Sequence, residues 1–393
     1  MNHNILIDQS TAVTRVMELI AIRGGSGNET AVSNYIQKML TAAGASPSSI
    51  VIDTANRRSP IGGATGNLIV KLKGTKRGPR RLLMAHMDTV PLAVESEPVQ
   101  AGNWIRSKTG TTALGADDRA GCAVILTAVL ELLNQGIDYP PLTLLFTVQE
   151  EIGLCGARYL TVGRLGRPKL CFNWDGRDPA DLVIAAVGAT NITLKIDGIA
   201  SHAGVHPDDG VNAAVVASLA VADLQENGWH GLVAKGNHRG TSNIGSIEGG
   251  AATNVVMPEV VLEAEARSHS RAFRDRIVRE FHKAFERAVK GIKNNRGQTA
   301  KLRMVDDTRY SSFRISASAD SVQSAVAAVK AADLMPQRSA SNGGLDANWL
   351  TAHGFPTVTL GCGQHQIHTV DERLNIPEYL RACAIAARIA AAE

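Results

Sequence analysis

Apolar residues occur along the chain in short unbroken runs, and several of these runs lead directly into polar residues. Unalternating runs of this length are typical of strands buried on both faces, as in parallel sheets. Ligands bind outside the carboxyl ends of such strands, so we expect one shared site. The runs are Leu82–Ala85 before His86, 141–148 before Glu150 and Glu151, 170–174 before Asp175, and 355–360 before a glycine turn and His368.

Helical periodicity separates these runs, with apolar residues at 3.6-residue spacing in segments 9–23, 28–44, 120–133 and 376–392. Alternation of strands and helices predicts an α/β fold with a mixed, mostly parallel sheet and helices on both faces. Asp117 and Asp118 lie at the amino end of the 120–133 helix, where one of them suffices as N-cap and the other is unexplained.

A different pattern begins near residue 190. Apolar and polar residues alternate through 190–197 and 262–267, as in strands with one exposed face, and amphipathic helices follow at 210–226 and 271–290. We therefore predict an inserted α+β domain at 187–305, with an antiparallel sheet covered by helices on one face. Residues 1–186 and 306–393 would form the first domain.

Composition limits the classes of partner. Lys and Arg number 41 against 37 Asp and Glu, a balance that gives no reason to expect nucleic acid. Five dispersed cysteines without a C-x-x-C pair favour a reducing cytoplasm. No signal peptide and no apolar stretch of membrane-spanning length are visible, so no membrane partner is expected.

Six residues at the predicted strand and helix ends are candidates for a metal centre. Two histidines with several carboxylates suit zinc, and also cobalt or manganese. If only one of the two adjacent glutamates binds metal, five ligands remain. Five are too few for two separate sites, but they fill two sites that share one bridging carboxylate. These candidates are His86, Asp117, Glu150, Glu151, Asp175 and His368.

Two local spacings refine this picture. Residues i and i+2 of an extended chain point to the same side, so Asp88 can accept the second ring N–H of His86. The adjacent residues Glu150 and Glu151 point to opposite sides, so one can bind metal while the other faces a bridging water. A carboxylate placed there is a general acid–base for amide hydrolysis.

These motifs resemble, in order and spacing, the superfamily of peptidase T, carboxypeptidase G, acetylornithine deacetylase and succinyl-diaminopimelate desuccinylase. The resemblance implies a zinc-exopeptidase-like catalytic domain, an inserted lid and dimerisation domain, and a homodimer. It rests on Ala85–Pro91, Gly115–Gly121, Glu150–Gly153, Asp175-Gly176 and His368, and in the insertion on Ser201–Gly204, Gly210–Ala213, Thr253–Val256 and Arg267-Ser268.

The resemblance also implies a role for each candidate ligand. His86 and Asp175 would bind one metal ion, Glu151 and His368 would bind the other, and Asp117 would bridge them. The peptide bond after Asp117 would be cis.

Catalytic and substrate-binding roles follow in the same way. Asp88 would orient His86, and Glu150 would be the general base. His202 would stabilise the oxyanion or the substrate, from the same or the other subunit. Asn254 and Arg267 would hold a substrate carboxylate or carbonyl.

Simpler explanations stand beside three of these assignments. Arg267 is equally well placed for a strand-face ion pair with Glu265, and His202 for a solvated loop. His365 is the nearest rival to His368 as metal ligand; the Asp371–Arg373 run after His368 resembles the family pattern and favours His368.

Segments 114–121 and 342–346 look closest to peptidase T. We therefore expect a cytoplasmic aminopeptidase that acts on short peptides with two divalent metal ions. A carboxypeptidase or an N-acyl amino acid deacylase with the same dinuclear site is the alternative, and a catalytically silent metal-binding protein is the alternative of another class.

Overall fold

The computed structural model describes residues 5–392. The chain divides into two compact units. The first comprises Met1–Ala185, Arg314–Ser341 and Leu345–Glu393, and the second comprises Ala186–Phe313 with Asn342–Gly344.

The chain contains both helices and strands throughout. In chain order the helices are α1 (Gln9–Ala21), α2 (Thr30–Ala42), α3 (Ala116–Asn134), α4 (Cys155–Arg158), α5 (Ala213–Glu226), α6 (Arg271–Gly291), α7 (Asp320–Lys330), α8 (Asp346–Ala352) and α9 (Ile376–Ala391). The strands are β1 (Ile50–Ile52), β2 (Leu68–Leu72), β3 (Arg81–His86), β4 (Pro98–Ala101), β5 (Trp104–Ser107), β6 (Leu142–Thr147), β7 (Leu170–Trp174), β8 (Asp181–Ala186), β9 (Gly188–Asp197), β10 (Gly231–Lys235), β11 (His238–Gly249), β12 (Glu259–Ser268), β13 (Lys301–Tyr310), β14 (Phe313–Arg314), β15 (Gln337–Ser341), β16 (Thr357–Leu360), β17 (Gln364–His365) and β18 (Arg373–Asn375).

The first unit is built on a mixed sheet with the strand order β1-β2-β6-β3-β7-β16-β8-β14, and β15 pairs with β8. Its central strands β6, β3, β7 and β16 are parallel, whereas β2 and β8 pair with this centre in antiparallel fashion. All four apolar runs of the sequence are these central strands. Their carboxyl ends therefore meet at one edge, as the sequence predicted.

Helices cover both faces of this sheet, which confirms the predicted fold class. On one face α3 contacts β3 and β7, and α1 and α9 pack against α3. On the other face Leu82 and Met84 of β3 share a cluster with Leu350 of α8 and Ala157 of α4. Because both faces are covered, β3 is buried along its whole length.

The segment 92–115 shows no strong periodicity in the sequence, yet it is not a continuous loop. It contains the hairpin β4–β5, which joins β18 and β17 in a small antiparallel sheet. Within β5 only Ile105 and Ser107 are buried. Four-residue strands with so few apolar positions leave little periodicity to detect.

The second unit is an antiparallel sheet with the order β10-β11-β12-β9-β13. Its alternating pattern is as predicted: Ile192, Leu194 and Ile196 are buried against α5 and α6. The domain boundary expected at residue 305 falls inside β13, which pairs with β9 from Lys301 to Tyr310. Strand pairing, which the local pattern does not report, extends this unit to Phe313.

The start of α3 carries the adjacent aspartates Asp117 and Asp118. Helix α3 begins after Gly115, and Asp117 and Asp118 have non-helical backbone angles. Asp118 Oδ1 accepts the N–H of Gly121, three residues further on, at 3.1 Å, which is the hydrogen bond of a helix N-cap. The prediction that one of the two aspartates caps the helix is therefore confirmed, and the capping residue is Asp118. Within residues 5–392, no helix is long and apolar enough to span a membrane.

Candidate active site

The carboxyl ends of the parallel strands bring the candidate side chains together. His86 is the last residue of β3, and Asp175 directly follows β7. Glu150 and Glu151 follow β6, and His368 lies on the turn between β17 and β18. Each position is one that the sequence pattern predicted from a strand end.

Asp117 lies between the two histidines. Its Oδ1 atom is 3.2 Å from Nε2 of His86, and its Oδ2 atom is 3.1 Å from Nε2 of His368. One carboxylate thus presents one oxygen to each ring. The peptide bond between Asp117 and Asp118 is cis, as the resemblance implied.

The remaining candidates complete two groups of side chains that could hold metal ions. Nε2 of His368 lies 3.1 Å from Oε2 of Glu151. Ligand atoms of His86, Asp117 and Glu151 lie within 4.8 Å of one another, and so do those of His86, Asp118 and Asp175. His86 therefore lies within reach of both Asp117 and Asp175.

Asp118 is already engaged with the backbone. Its Oδ2 accepts the N–H of His86 at 3.1 Å, and its Oδ1 accepts the N–H of Gly121 at 3.1 Å. These bonds tie β3 to the start of α3. Because the bond to Gly121 caps the helix, Asp118 is the aspartate that helix capping explains, and Asp117 is the one that capping leaves for another role.

The pKa values of the cluster reflect its burial and its charges. Burial alone raises the pKa of Asp117, but hydrogen bonds from His368 and His86 hold it below the usual range. Hydrogen bonds to Asp117 and Glu151 raise the pKa of His368 to about 10. Burial, with the nearby carboxylate of Asp117, raises the pKa of Asp175 to about 7. The hydrogen bonds between the two histidines and the carboxylates thus set the pKa values of this cluster.

Asp88 has more partners than the sequence indicated. Its Oδ1 lies 3.4 Å from Nδ1 of His86, although its own backbone carbonyl is closer, at 3.1 Å. The same carboxylate accepts the N–H groups of Glu150 and Glu151 at 3.0 and 3.2 Å. Asp88 therefore holds both the ring of His86 and the turn that carries the glutamate pair.

Glu150 is buried, with 9% of its surface exposed. Burial raises its pKa well above the usual value, and the carboxylates of Asp175 and Asp346 add to this effect. A carboxylate with a raised pKa beside a cluster of ligands is suited to accept a proton and release it again.

Glu372 is a residue that the sequence analysis gave no role. Its side chain is 2% exposed and accepts the N–H groups of Gly115 and Asp117, at 2.7 and 3.0 Å. It connects the turn of His368 to Asp117. Its place in the 371–373 run was the only signal in the sequence.

The three residues predicted from the insertion lie in the second unit. His202 and Asn254 are both exposed, and a β-bridge joins His202 to Val255, so they lie on adjacent backbones. Arg267 donates two hydrogen bonds to Glu265, each 2.8 Å long. The ion pair that competed with a substrate role for Arg267 is therefore present.

His365 is engaged elsewhere. Its Nε2 atom lies 2.6 Å from Oε2 of Glu378, and its ring contacts Trp104 edge-on. His368, by contrast, lies 3.1 Å from both Asp117 and Glu151, which supports His368 as the terminal histidine of the site.

A cavity of about 520 Å³ adjoins Glu151. Much of its wall is apolar, including Ile61, Val94 and Ile152, and Arg23 lies at the same cavity. The cavity thus provides space beside the candidate cluster, with both apolar and charged side chains in its wall.

Comparison with known proteins places this arrangement in a family. A tripeptidase from Staphylococcus aureus subsp. aureus Mu50 is 29% identical, covers 98% of both chains and superposes with a TM-score of 0.88. The aminopeptidase PepT from Bacillus cereus ATCC 10987 is 30% identical over 98% of both chains, with a TM-score of 0.85. Carboxypeptidase G2 from Pseudomonas sp. (strain RS-16) is 34% identical over 222 residues, 54% of this chain and 50% of that protein.

Residues 82–392 match the family described as peptidase family M20/M25/M40. This segment begins in β3 and contains all of the candidate ligands and both glutamates of the 150–151 pair. Since the match spans most of the chain, the protein belongs to peptidase family M20/M25/M40.

Proposed function

We propose that the protein is a metal-dependent aminopeptidase similar to peptidase T, which releases the N-terminal residue from short peptides. The observation that carries this proposal is the placement of Asp117 between His86 and His368, one oxygen facing each ring. A carboxylate in this position is suited to bridge two cations. The likeness to a tripeptidase and to PepT over 98% of the chain supports the substrate class.

The donor set fits two divalent ions, with zinc the first choice and cobalt or manganese as alternatives. His86 and Asp175 would hold one ion, Glu151 and His368 would hold the other, and Asp117 would be shared. Three carboxylates offset most of the charge of two such ions, so the loaded centre can be partly buried.

The bound ions would polarise the scissile carbonyl and lower the pKa of an attacking water. Glu150 would take the proton of that water and deliver it to the leaving amine. Asp88 would fix the position of the His86 ring relative to the Glu150–Glu151 turn, because it contacts both. The raised pKa of Glu150 suits this exchange, because the carboxyl group must both gain and lose a proton.

The second unit would supply substrate contacts. In this proposal it acts as a lid and dimerisation domain, His202 stabilises the oxyanion or substrate, and Asn254 and Arg267 bind a carboxylate or carbonyl. A planar guanidinium suits a carboxylate. Arg267 would do so while paired with Glu265, which fixes the orientation of its side chain.

Two properties of the whole molecule belong to the same proposal. A homodimer is supported by the exposed apolar residues Val215 and Leu219 on α5. A cytoplasmic location is supported by the five cysteines, which are all buried and form no disulfide in the described part of the chain.

Carboxypeptidase or N-acyl amino acid deacylase activity is the second candidate, and the match to carboxypeptidase G2 favours it. A silent metal-binding protein is the candidate of another class. The buried Glu150 and Asp88 argue against it, because a structural metal site requires neither a general base nor its support.

The test is hydrolysis of a small tripeptide panel by protein loaded with zinc or cobalt. The panel contains free, amino-blocked and carboxyl-blocked members, and Glu150→Ala is measured in parallel. We expect cleavage that requires a free amino end and disappears in the variant.

Cleavage that requires a free carboxyl end, or that tolerates acyl groups, would overturn the aminopeptidase proposal in favour of the second candidate. Stoichiometric metal binding without cleavage of any member would favour the silent protein.

A further inference from the structure

Glu29 is a buried acid that its own helix does not use. It occupies the N-cap position of α2, yet its side chain makes no capping hydrogen bond. The side chain is fully buried, with 0% exposed. Burying an acid is unfavourable unless its oxygens receive hydrogen bonds, so its partners elsewhere indicate its task.

One of those partners lies immediately before the glutamate pair. Oε1 of Glu29 accepts the N–H of Gln149 at 3.1 Å, across 120 positions in the sequence, and the N–H of Gly27 at 2.8 Å. Oε2 has no hydrogen-bond partner among residues 5–392. The carboxyl group of Glu29 is thus committed to two backbone segments through a single oxygen.

Gln149 is the residue at which the chain turns from β6 towards Glu150. Its backbone has φ of 55°, in the left-handed region that residues other than glycine rarely adopt. Its buried side chain donates to the carbonyl of Gly62 and accepts from Ser59 Oγ. This unfavourable backbone conformation persists because its surroundings hold it.

The following two residues are held in the same manner. Asp88 accepts the N–H groups of Glu150 and Glu151, and Ser26 donates to Oδ2 of Asp88 at 2.6 Å. Consecutive N–H groups at 149, 150 and 151 therefore all bond to two buried carboxyl side chains. Segment 26–29 supplies one of these carboxyls and supports the other.

We infer that Glu29 is a positioning residue for the general base, acting through the backbone of Gln149 to orient Glu150. This inference rests on the proposed function for its catalytic readout. Glu29 touches neither substrate nor reacting atoms, so its effect is on the geometry of the turn. Misplacement of a catalytic group by about 1 Å can reduce rate by about 100-fold.

The test compares Glu29→Ala, Glu29→Gln and Glu29→Asp with Glu131→Ala. In Glu29→Gln the side-chain amide would keep an acceptor oxygen at the same reach, whereas Glu29→Asp keeps the charge and withdraws the oxygen. Glu131 is a matched control, a buried acid in α3 whose carboxylate accepts from Gln135.

We expect kcat to fall about 10- to 100-fold in Glu29→Ala, with KM within about twofold, because binding contacts are unchanged and the base is misplaced. Glu29→Gln should restore most of kcat, and Glu131→Ala should match the wild type. If Glu29→Ala does not fold, Glu29→Gln must still exceed Glu29→Asp in kcat.

Amide hydrogen exchange provides a readout that is independent of peptidase activity. Exchange at 149–151 should accelerate in Glu29→Ala and Glu29→Asp but remain slow in Glu29→Gln and Glu131→Ala. This result would support the inference even if no peptide were cleaved and the proposed function had failed. Unchanged exchange and kcat in Glu29→Ala, or equal impairment of Glu29→Gln and Glu29→Ala, would overturn it.

Discussion

Nε2 of His86 lies 3.2 Å from Oδ1 of Asp117. The other oxygen of the same carboxylate faces His368. A change at Asp117 would therefore alter the surroundings of both His86 and His368.

Asp117→Asn should abolish activity and lower the bound zinc below two ions per chain. An amide lacks the charge and the second equivalent oxygen that a shared ligand needs. Activity should fall at least about 100-fold, as for changes to groups that support a metal site. Metal content by mass spectrometry after gel filtration measures this, with the exposed Asp138→Asn as control. Two ions retained with full activity would contradict the bridging role.

Glu150→Gln should separate metal binding from catalysis. The amide is nearly isosteric but cannot accept a proton, so kcat should fall about 100- to 10,000-fold. Metal content should remain at the wild-type level, since Glu150 is not among the proposed ligands. Parallel measurements of kcat and bound zinc distinguish this result from general damage, in which both would decline.

Glu372→Ala should weaken metal binding without removing a ligand. The substitution leaves the N–H groups of Gly115 and Asp117 without their acceptor. We expect metal affinity to decrease about 10- to 100-fold, as for other residues that hold ligands in place. Competition with a chelator gives the affinity. The neighbouring exposed residue Asp371 provides the control Asp371→Ala, for which a similar loss would argue against this explanation.

Arg267→Ala should raise KM for peptides with a free carboxyl end by about tenfold and leave carboxyl-amidated peptides unaffected. Stability should change by less than about 1 kcal/mol, because Arg267 is partly exposed and such ion pairs contribute little. Glu265→Ala is the matched control, since it breaks the same ion pair but keeps the guanidinium. A rise in KM for Arg267→Ala that is equally large for carboxyl-amidated and free peptides would leave Arg267 without a role in carboxylate binding.

The pKa of Glu29 predicts a pH dependence of stability in chelator-treated protein. Burial, with the nearby charge of Asp88, raises this pKa from 4.5 to about 7. Between these values the folded protein holds a proton that the unfolded chain has released, so the free energy of unfolding declines as pH rises from 4.5 to 7. The decline from this group is at most about 3 kcal/mol.

Urea unfolding at several pH values measures this effect. Glu29→Gln cannot ionise, so its stability should decline less than that of the wild type across the same window. Parallel curves for the two proteins would show that Glu29 does not titrate there.

The sequence by itself determined the local features of this protein. Buried strands such as β3 were visible as unalternating apolar runs, and the one-sided strands β9 and β12 as alternation, because burial selects side chains residue by residue. Most of the candidate ligands were visible because they follow strand ends, and parallel strands bring their carboxyl ends to one edge. Asp117 was placed at the start of α3 by the helical periodicity of the residues that follow it.

The tertiary structure alone decided which groups meet across the chain. The bond from Gln149 to Glu29 spans 120 positions, and no local pattern records it. The same holds for Glu372 with Asp117, for the hairpin β4–β5, and for the pairing that carries β13 to Tyr310. A hydrogen bond depends on where two backbones pass in space, whereas periodicity reports only which side of an element is buried.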